Sequence, residues 1–387
     1  MRKKVVLFLV LFVVVFLIPA QSTIGWAADF SFKEHWTVPI PPQGSPPENF
    51  TDLETSLNPE DCGSCHESQF EDWKTSLHSK SMGPGVMGQL HAPWVNDPFT
   101  CTNCHAPLAE QSPVKRLSRG HFAKNPDYLP ELRPQGLVCA GCHVRKHVRY
   151  GPKPLTDKVK DPPHNSFVEV ENFGDSRFCK PCHQFDPGGN RVNGKLLQNT
   201  YEEWKNSPYP EKDIHCPDCH MPKQRHLWQG IHNPEMVKKG IKIEARREEA
   251  EVSLKVINSG VGHNFPTYVT PKIVIRGSVF NKNGTEIPHS VEEKFIGWNV
   301  PVNLSKEWYD TRIPPGETFS AKFKINPSAT GGKFHLVIRT FPDDFYTRFF
   351  KALLDHPPDG VDLTKIREAY SKTLKSSYVL FGKSWDL

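Results

Sequence analysis

Ten cysteines constrain what this chain of 387 residues can fold into, because all of them occur in one repeated pattern. Each pattern has two cysteines separated by two residues and followed directly by a histidine. The five segments are CGSCH (62–66), CTNCH (101–105), CAGCH (139–143), CKPCH (179–183) and CPDCH (216–220). Since no cysteine lies outside them, a single chemical role has to account for all ten.

The spacing of these residues matches the chemistry of covalent haem attachment. Cysteines at i and i+3 lie on one helical turn, so both sulfurs can bond the vinyl-derived carbons on one porphyrin edge. The histidine at i+4 projects from the same face as the proximal iron ligand. The sequence therefore predicts five covalently bound molecules of haem c. The predicted attachment residues are Cys62, Cys65, Cys101, Cys104, Cys139, Cys142, Cys179, Cys182, Cys216 and Cys219, and the predicted proximal ligands are His66, His105, His143, His183 and His220.

Structural zinc and disulfide bonds explain the pattern poorly. Zinc sites would combine the cysteine pairs two by two, which leaves an odd pair and five unexplained histidines. A disulfide framework suits an exported chain, but it gives no reason for a histidine after every second cysteine. We therefore assign all five motifs to haem.

The composition is consistent with porphyrins forming much of the core. Only 37% of the residues are hydrophobic, while 36 are proline and 26 are glycine. Such a chain is expected to be rich in loops unless another component supplies apolar volume. One haem for roughly every forty residues between the first and last motif would supply that volume, so we expect the chain without haem not to fold.

The N-terminal residues predict export. Three basic residues (2–4) precede an uncharged apolar run of 14 residues (5–18) and then small residues that suit cleavage after Ala27, with Ala20 as a second choice. This is typical of a secretory signal peptide, and an uncleaved membrane anchor is the alternative. Cleavage would lower the formal net charge from +5 to +2, which gives no reason to expect nucleic-acid binding. We expect a periplasmic or extracellular protein.

Two candidate distal iron ligands lie in the first half of the chain. In HESQFEDWKTSLHSKSMG the apolar residues follow helical spacing from His66 onwards. We therefore expect one helix from the first motif to His78, long enough for His78 to face a different iron. His164 lies in DPPHNSF, where prolines favour an extended chain that could cap a neighbouring haem.

Three further candidates follow the last motif. His226 and His232 in RHLWQGIHNPEM are six residues apart, so that on a helix or in a loop they would serve two different haems. His263 lies in NSGVGHNFPTY, where glycines would let the backbone approach a porphyrin closely. We expect these five histidines to complete the five irons. Weaker candidates are His215, as the most credible substitute, and Met82, Met87, Met221 and Met236, for which we favour packing.

The second half of the chain has a different pattern. Alternating apolar residues in AEVSLKVIN, PKIVIRGSVFNKNGTEI, PPGETFSAKFKI and KFHLVIRTF predict short strands, and together these favour an antiparallel β-sandwich. The predicted fold class is therefore α+β and multidomain, with a loop-rich, mainly α haem domain. The predicted segments are a signal peptide (1–27), a proline-rich segment (28–57), a pentahaem domain (58–240), the β-sandwich (241–344) and a helical tail (345–387).

The chain resembles multihaem c-type cytochromes of the cytochrome c-554-like and hydroxylamine-oxidoreductase-like class. The matching stretches lie between about residues 58 and 270 and are DWKTSLHS, CTNCHAPLAEQ, CAGCHVRKHVRYGP, SRFCKPCHQF, TYEEWKNSPY, CPDCHMP, RHLWQGIHNPEM and GHNFPTY. The resemblance implies that His78 is a distal haem ligand. It implies the same role for His226 and His232, which follow CPDCHMP, and for His263.

Three functions are compatible with this sequence. Electron transfer between redox partner proteins is favoured, because two imidazoles on every iron would leave no position for a substrate. The alternative is an oxidoreductase in which one open haem acts on a small nitrogen or sulfur compound. The lysine-ligated CxxCK variant, which would resemble the motif of ammonia-forming nitrite reductases, is absent from this sequence. The third is a subunit of an extracellular conductive assembly. The sequence is compatible with a homo-oligomer or a multihaem assembly. We expect membrane association only if the N-terminal segment stays uncleaved, and we assign no catalytic residue.

Overall fold

The computed structural model describes residues 30–153, 164, 167–325 and 331–387 of the chain. The predicted signal peptide lies outside these ranges. Within them, no helix combines the length and the apolar character needed to cross a membrane.

The described residues form thirteen α-helices, nearly all of them short, and sixteen β-strands. The helices are α1 (Phe32–His35), α2 (Asp52–Thr55), α3 (Pro59–Gly63), α4 (Glu67–Thr75), α5 (Pro84–Met87), α6 (Phe99–His105), α7 (Cys139–His143), α8 (Lys180–His183), α9 (Thr200–Lys205), α10 (Cys216–His220), α11 (Pro234–Gly240), α12 (Asp344–Asp355) and α13 (Leu363–Leu374). The strands are β1 (Val114–Arg116), β2 (Phe122–Lys124), β3 (Val144–Arg145), β4 (Val148–Gly151), β5 (Phe167–Glu169), β6 (Arg191–Val192), β7 (Lys195–Leu196), β8 (Ile241–Glu248), β9 (Glu251–Asn258), β10 (Lys272–Phe280), β11 (Glu292–Ile296), β12 (Trp298–Asn299), β13 (Tyr309–Asp310), β14 (Thr318–Lys324), β15 (Lys333–Phe341) and β16 (Tyr378–Asp386).

Each CxxCH motif lies on or next to a single helical turn, in α3, α6, α7, α8 and α10. Proline in the first turn of α3, α8 and α10 favours the start of the helix there. Helices this short are marginal in water without tertiary support. The five turns therefore depend on what packs against them.

The predicted continuous helix from the first motif to His78 is wrong. The chain breaks at His66, whose backbone is not helical, and α4 begins only at the next residue. It ends at Thr75 because Ser76 is extended and its hydroxyl donates to the Trp73 carbonyl oxygen (2.7 Å). His78 consequently lies in a turn beyond the helix, so the direction of its side chain is not set by the geometry of α4.

Two packed antiparallel sheets form the sandwich that the sequence pattern predicts. One has the strand order β14-β9-β8 and the other has the order β11-β10-β15-β16. Alternate residues of β9 face inward: Val252, Leu254 and Val256 are each at most 2% exposed. They pack on apolar residues of the other sheet such as Ile275 and Leu336, so the sandwich has a hydrophobic core of its own.

The C-terminal segment departs from the predicted helical tail. Helices α12 and α13 are present, but the chain then returns as β16 and pairs antiparallel with β15. Burial of Leu380 in the sandwich core, with Phe381 and Trp385 packed around it, accounts for this return. The segment after β10 also differs from the predicted pattern of short strands. A turn with Gly284 at φ 75° is followed by a single bridge between Phe280 and Glu286, and the next strand, β11, begins only at Glu292.

A buried ionic cluster joins the segment carrying the motifs to the sandwich. Arg312 donates to Glu203 of α9 (3.1 Å) and to Asp310 (2.8 Å), and the side chains of Arg312 and Glu203 are 7% and 6% exposed. Glu203 also accepts from Thr267 (2.7 Å) and from the backbone N–H of Asn264 (3.2 Å). Burial outweighs these partners and raises the pKa of Glu203.

Replacing Arg312 with methionine is predicted to destabilise the protein. Because Arg312→Met leaves the Glu203 carboxylate buried without its cation, we expect the free energy of unfolding to fall by about 3–5 kcal/mol. Denaturant unfolding followed by tryptophan fluorescence measures the change. Lys351→Met, which breaks an exposed pair with Asp355, is the control and should leave the transition unchanged; equal shifts in the two variants would contradict the prediction.

Candidate haem sites

The five motifs lie in one connected group. Thiols of different motifs lie near enough to each other to lower the pKa of one partner and raise the pKa of the other. The pairs are Cys62 with Cys139, Cys104 with Cys182, and Cys179 with Cys216. Cys142 is also near enough to raise the pKa of Cys179 and Cys182. The first motif therefore adjoins the third, the third adjoins the fourth, and the fourth adjoins the second and the fifth.

Four of the proximal histidines are oriented by a hydrogen bond at Nδ1. Three donate to backbone carbonyl oxygens, and the fourth bonds a tyrosine hydroxyl. The partners are Ser81 for His105 (2.7 Å), Tyr150 for His143 (2.7 Å), Gln229 for His220 (2.7 Å) and Tyr268 for His183 (3.0 Å). Metal-binding histidines usually donate their other ring N–H in this way, so Nε2 is left as the nitrogen available to iron.

Four proximal histidines each face a second histidine at nearly the same spacing. The ring centroids are 6.0 Å apart for His66 and His164, 6.1 Å for His143 and His226, 6.2 Å for His183 and His78, and 6.4 Å for His220 and His263. Two metal–nitrogen bonds of about 2 Å each, with the distance from each nitrogen to its ring centre, add up to a separation of about 6 Å. Each gap therefore fits one iron between two imidazoles.

The four opposing histidines fall into two groups by their own hydrogen bonds. His226 and His263 donate from Nδ1 to the carbonyl oxygens of Gln224 and Asn264, both at 2.9 Å. The Nδ1 atoms of His78 and His164 are buried, and no hydrogen-bond partner is found for them among the described residues. In the first group the nitrogen available to a metal is again Nε2.

The protonation state of these rings suits metal binding. Burial lowers the pKa of His78 to about 3 and the pKa values of His143 and His183 to about 4, and neighbouring histidines contribute in the same direction. The imidazoles are therefore neutral at neutral pH, as a ligand must be. Burial also lowers the pKa of His263, although His183 and His263 both keep part of their surface accessible, and these residues fit a haem.

The structure places His232 differently from the other predicted distal ligands. Its Nε2 lies 3.0 Å and 3.1 Å from the two carboxylate oxygens of Asp343. Tyr378 of β16 donates to the carbonyl oxygen of Ile231 (2.7 Å) and fixes the adjacent backbone. The described residues include all 18 histidines. None of these rings has its centroid 6.0–6.4 Å from the ring centroid of His105, the fifth proximal histidine. The structure thus brings His232 to Asp343 and not to a proximal histidine, and its role as a distal ligand stays a prediction.

Sequence reasoning missed two aromatic residues that position these rings. Tyr268 bonds His183 and receives a hydrogen bond from Gln198 (3.3 Å), and burial raises its pKa to about 12, so the phenol is neutral. Trp228 contacts the rings of His78 (4.7 Å) and His226 (5.1 Å). Both residues lie in stretches already singled out, GHNFPTY and RHLWQGIHNPEM, but a single sequence does not show which ring each one contacts.

Residues 47–235, which contain all five motifs, match the family model described as cytochrome c552. The chain is a multihaem c-type cytochrome. Proteins named cytochrome c-552 from two strains of Bacteroides fragilis are each 23% identical to this cytochrome over 182 residues. The match covers 44% of this chain and 34% of each relative, so the chain spans about a third of their length.

A solved structure shares the fold of this cytochrome. The penta-heme cytochrome c552 from Thermochromatium tepidum superposes with a TM-score of 0.58 over 87% of this chain and 100% of its own, at 16% sequence identity. The predicted class is confirmed to the level of a multihaem c-type cytochrome that binds haem c covalently. Membership of the hydroxylamine-oxidoreductase-like subclass stays a prediction.

Replacing Tyr268 with phenylalanine is predicted to raise the reduction potential of one haem. Because Gln198 already donates to the Tyr268 oxygen, that oxygen is placed to accept from Nδ1–H of His183 and makes the ring a stronger donor to ferric iron. Loss of one such bond corresponds to a shift on the order of 20–60 mV. Redox titration would measure it, with Tyr370→Phe in α13 as the control; identical titration curves for both variants would contradict the assignment.

Proposed function

We propose that this cytochrome is exported, binds five haems and carries electrons between redox partner proteins. The observation that supports it best is the connected group of CxxCH motifs. Porphyrins attached to neighbouring motifs have to be neighbours themselves, because each haem would be bonded to its motif by two thioethers. Electrons can then move from haem to haem without leaving the protein.

The connections between motifs suggest a branched route. The first and third motifs lead to the fourth, which also adjoins the second and the fifth. The fourth motif is therefore the junction, and the first, second and fifth motifs are the ends. Partner proteins would exchange electrons at the ends, and the haem on Cys179 and Cys182 would distribute them.

The paired histidines support an electron carrier on chemical grounds. We infer that His78, His164, His226 and His263 are the distal ligands of the haems on His183, His66, His143 and His220. An iron with two imidazoles is coordinatively saturated, low-spin and similar in its ferric and ferrous forms, which favours fast transfer. Axial histidines also favour the lower part of the range of about 0.8 V that proteins impose on haem.

Charge supports protein partners. The processed chain would carry a formal net charge of only +2, and the propionates of five haems would make the assembled protein acidic. Complementary charge speeds the encounter of redox proteins and is screened by salt. We therefore propose partners with basic docking faces, at a site outside the cytoplasm where haem c is attached.

Intact mass spectrometry of the protein purified from the periplasm or the medium tests the export and the haem count together. We expect the polypeptide from residue 28 onward plus five haems. A mass with fewer cofactors, with bound zinc, or with the first 27 residues retained would each contradict a stated part of the proposal.

Replacing His263 with alanine is predicted to convert one low-spin haem to a five-coordinate, high-spin haem, because His220 would lose its partner on the opposite side of the iron. Electron paramagnetic resonance of the ferric protein would show one new high-spin signal per chain. His289→Ala, at an exposed histidine, should leave the spectrum unchanged. An unaltered spectrum for His263→Ala would remove the proposed pair.

A further inference from the structure

The four pairs of facing histidines differ in the angle between their ring planes. The angles are 8° for His66 and His164, 9° for His220 and His263, 34° for His143 and His226, and 61° for His183 and His78. The rings at the first and fifth motifs are therefore nearly parallel. The rings at the fourth motif, which we propose as the junction of the electron route, are the most strongly crossed.

The two rings of the crossed pair are oriented in different ways. Nδ1 of His183 bonds the hydroxyl of Tyr268 (3.0 Å), which sets the rotation of that ring. Nδ1 of His78 is buried, and no hydrogen-bond partner is found for it in the described part of the chain. The backbone of His78 is held, because its carbonyl oxygen accepts from the N–H of Leu137 (3.0 Å). The rotation of the His78 ring is thus decided by packing.

The indole of Trp228 packs against the His78 ring. The two ring centroids are 4.7 Å apart and the planes lie at 70° to each other, which is the edge-to-face arrangement that aromatic rings favour. Within the described ranges, Trp228 is the one aromatic side chain in contact with His78 apart from His183 itself. A rotation that brought the His78 ring parallel to His183 would have to displace this indole or give up the edge-to-face contact.

Trp228 is itself held in place by the segment around it. Its backbone has φ 40°, a left-handed conformation that is unfavourable for a bulky residue, and its N–H donates to the carbonyl oxygen of His220 (3.0 Å). Asp72 of α4, whose side chain is 7% exposed, accepts from the guanidinium of Arg225 at both carboxylate oxygens (2.5 Å each) and from the N–H of His226 (3.1 Å). The segment is therefore tied both to the last motif and to the helix that precedes His78.

The angle between two axial imidazoles changes the electronic state of the iron that they bind, and axial ligands are one means by which a protein tunes a haem. Each imidazole interacts through its π-orbital with the iron d orbital that is perpendicular to the ring plane. Parallel rings therefore separate two d orbitals in energy, whereas crossed rings affect both alike. Low-spin ferric iron is one electron short of filling this pair of orbitals, so it is stabilised when they separate. Ferrous iron fills the pair and gains nothing, so parallel rings lower the reduction potential and crossed rings leave it higher.

We propose that Trp228 is a positioning residue that holds the His78 imidazole crossed to the His183 imidazole. The haem on Cys179 and Cys182 then has a higher reduction potential than the haems with parallel imidazoles on the first and fifth motifs. The inference rests on the proposed function, because it requires iron between the paired histidines. Electrons that enter at these ends of the route come to rest on the junction haem, from which they can pass to any of its neighbours.

Electron paramagnetic resonance of the intact ferric holoprotein tests the crossed pair. Crossed imidazoles leave two d orbitals close in energy and give a low-spin signal with a large maximum g value, whereas parallel imidazoles give an ordinary rhombic signal. We expect both kinds of signal in the parent protein, and we expect His78→Ala to remove the large-g signal. Rhombic signals alone, or a large-g signal that survives His78→Ala, would overturn the inference. A haem count other than five by mass would instead overturn the proposed function.

Replacing Trp228 tests its role in setting the angle. We expect Trp228→Leu to keep five low-spin haems, to replace the large-g signal with a rhombic one, and to lower the potential of one haem in a redox titration. A merely structural role would change stability or haem content and leave the angle-dependent signal of the remaining haems as it was. Trp228→Phe keeps an aromatic ring beside His78 and should retain the large-g signal.

Trp308→Leu, at an exposed tryptophan between β12 and β13, is the matched control and should alter neither the spectrum nor the titration. If Trp228→Leu gives the spectrum and the titration of the parent protein, Trp228 does not position the ring and the inference is wrong. Trp228→Met, which fills more of the space without a flat ring, carries the same expectation and decides the question if the leucine variant loses haem.

Discussion

The pairing of imidazoles across a gap of one metal atom is the constraint on which the arrangement of this chain depends. His66 and His164, or His78 and His183, are far apart in sequence and are held 6.0 Å and 6.2 Å apart. Short helices and loops with little hydrophobic content would not keep such separations by themselves. An iron between each pair would act as a covalent-strength crosslink, which explains how a proline-rich chain can be ordered around porphyrins.

The sandwich is part of the same constraint. His263 lies between β9 and β10, and its ring faces His220 of the last motif. The same loop supplies Asn264 and Thr267 to Glu203, and Arg312 completes that cluster from the sandwich side. A buried ion pair therefore holds the two parts in one orientation, as an iron between His220 and His263 would, and residues such as Tyr268 keep their contact with His183.

Much of this site could be predicted from the sequence, because thioether attachment dictates the CxxCH spacing and strand alternation dictates the positions of Val252 and Leu254. The partners of individual rings could not, since they depend on how distant segments pack. His232 shows this: its spacing from His226 suits a ligand, but Asp343, over a hundred residues later, takes its Nε2. The end of α4 and the presence of strand β16 were missed for a related reason. The helix ends where the Ser76 hydroxyl donates to a backbone carbonyl oxygen, and β16 forms because it pairs with the edge of β15.

The position of His263 along the chain has a consequence for maturation. All five attachment motifs precede it, and strand β16, which completes the second sheet, follows it by more than a hundred residues. If the chain is exported as proposed, the motifs would emerge first and could receive haem while the sandwich is still incomplete. With the proposed pairing, the iron on His220 would be the last of the four paired irons to become saturated, because His263 emerges after the other three distal histidines.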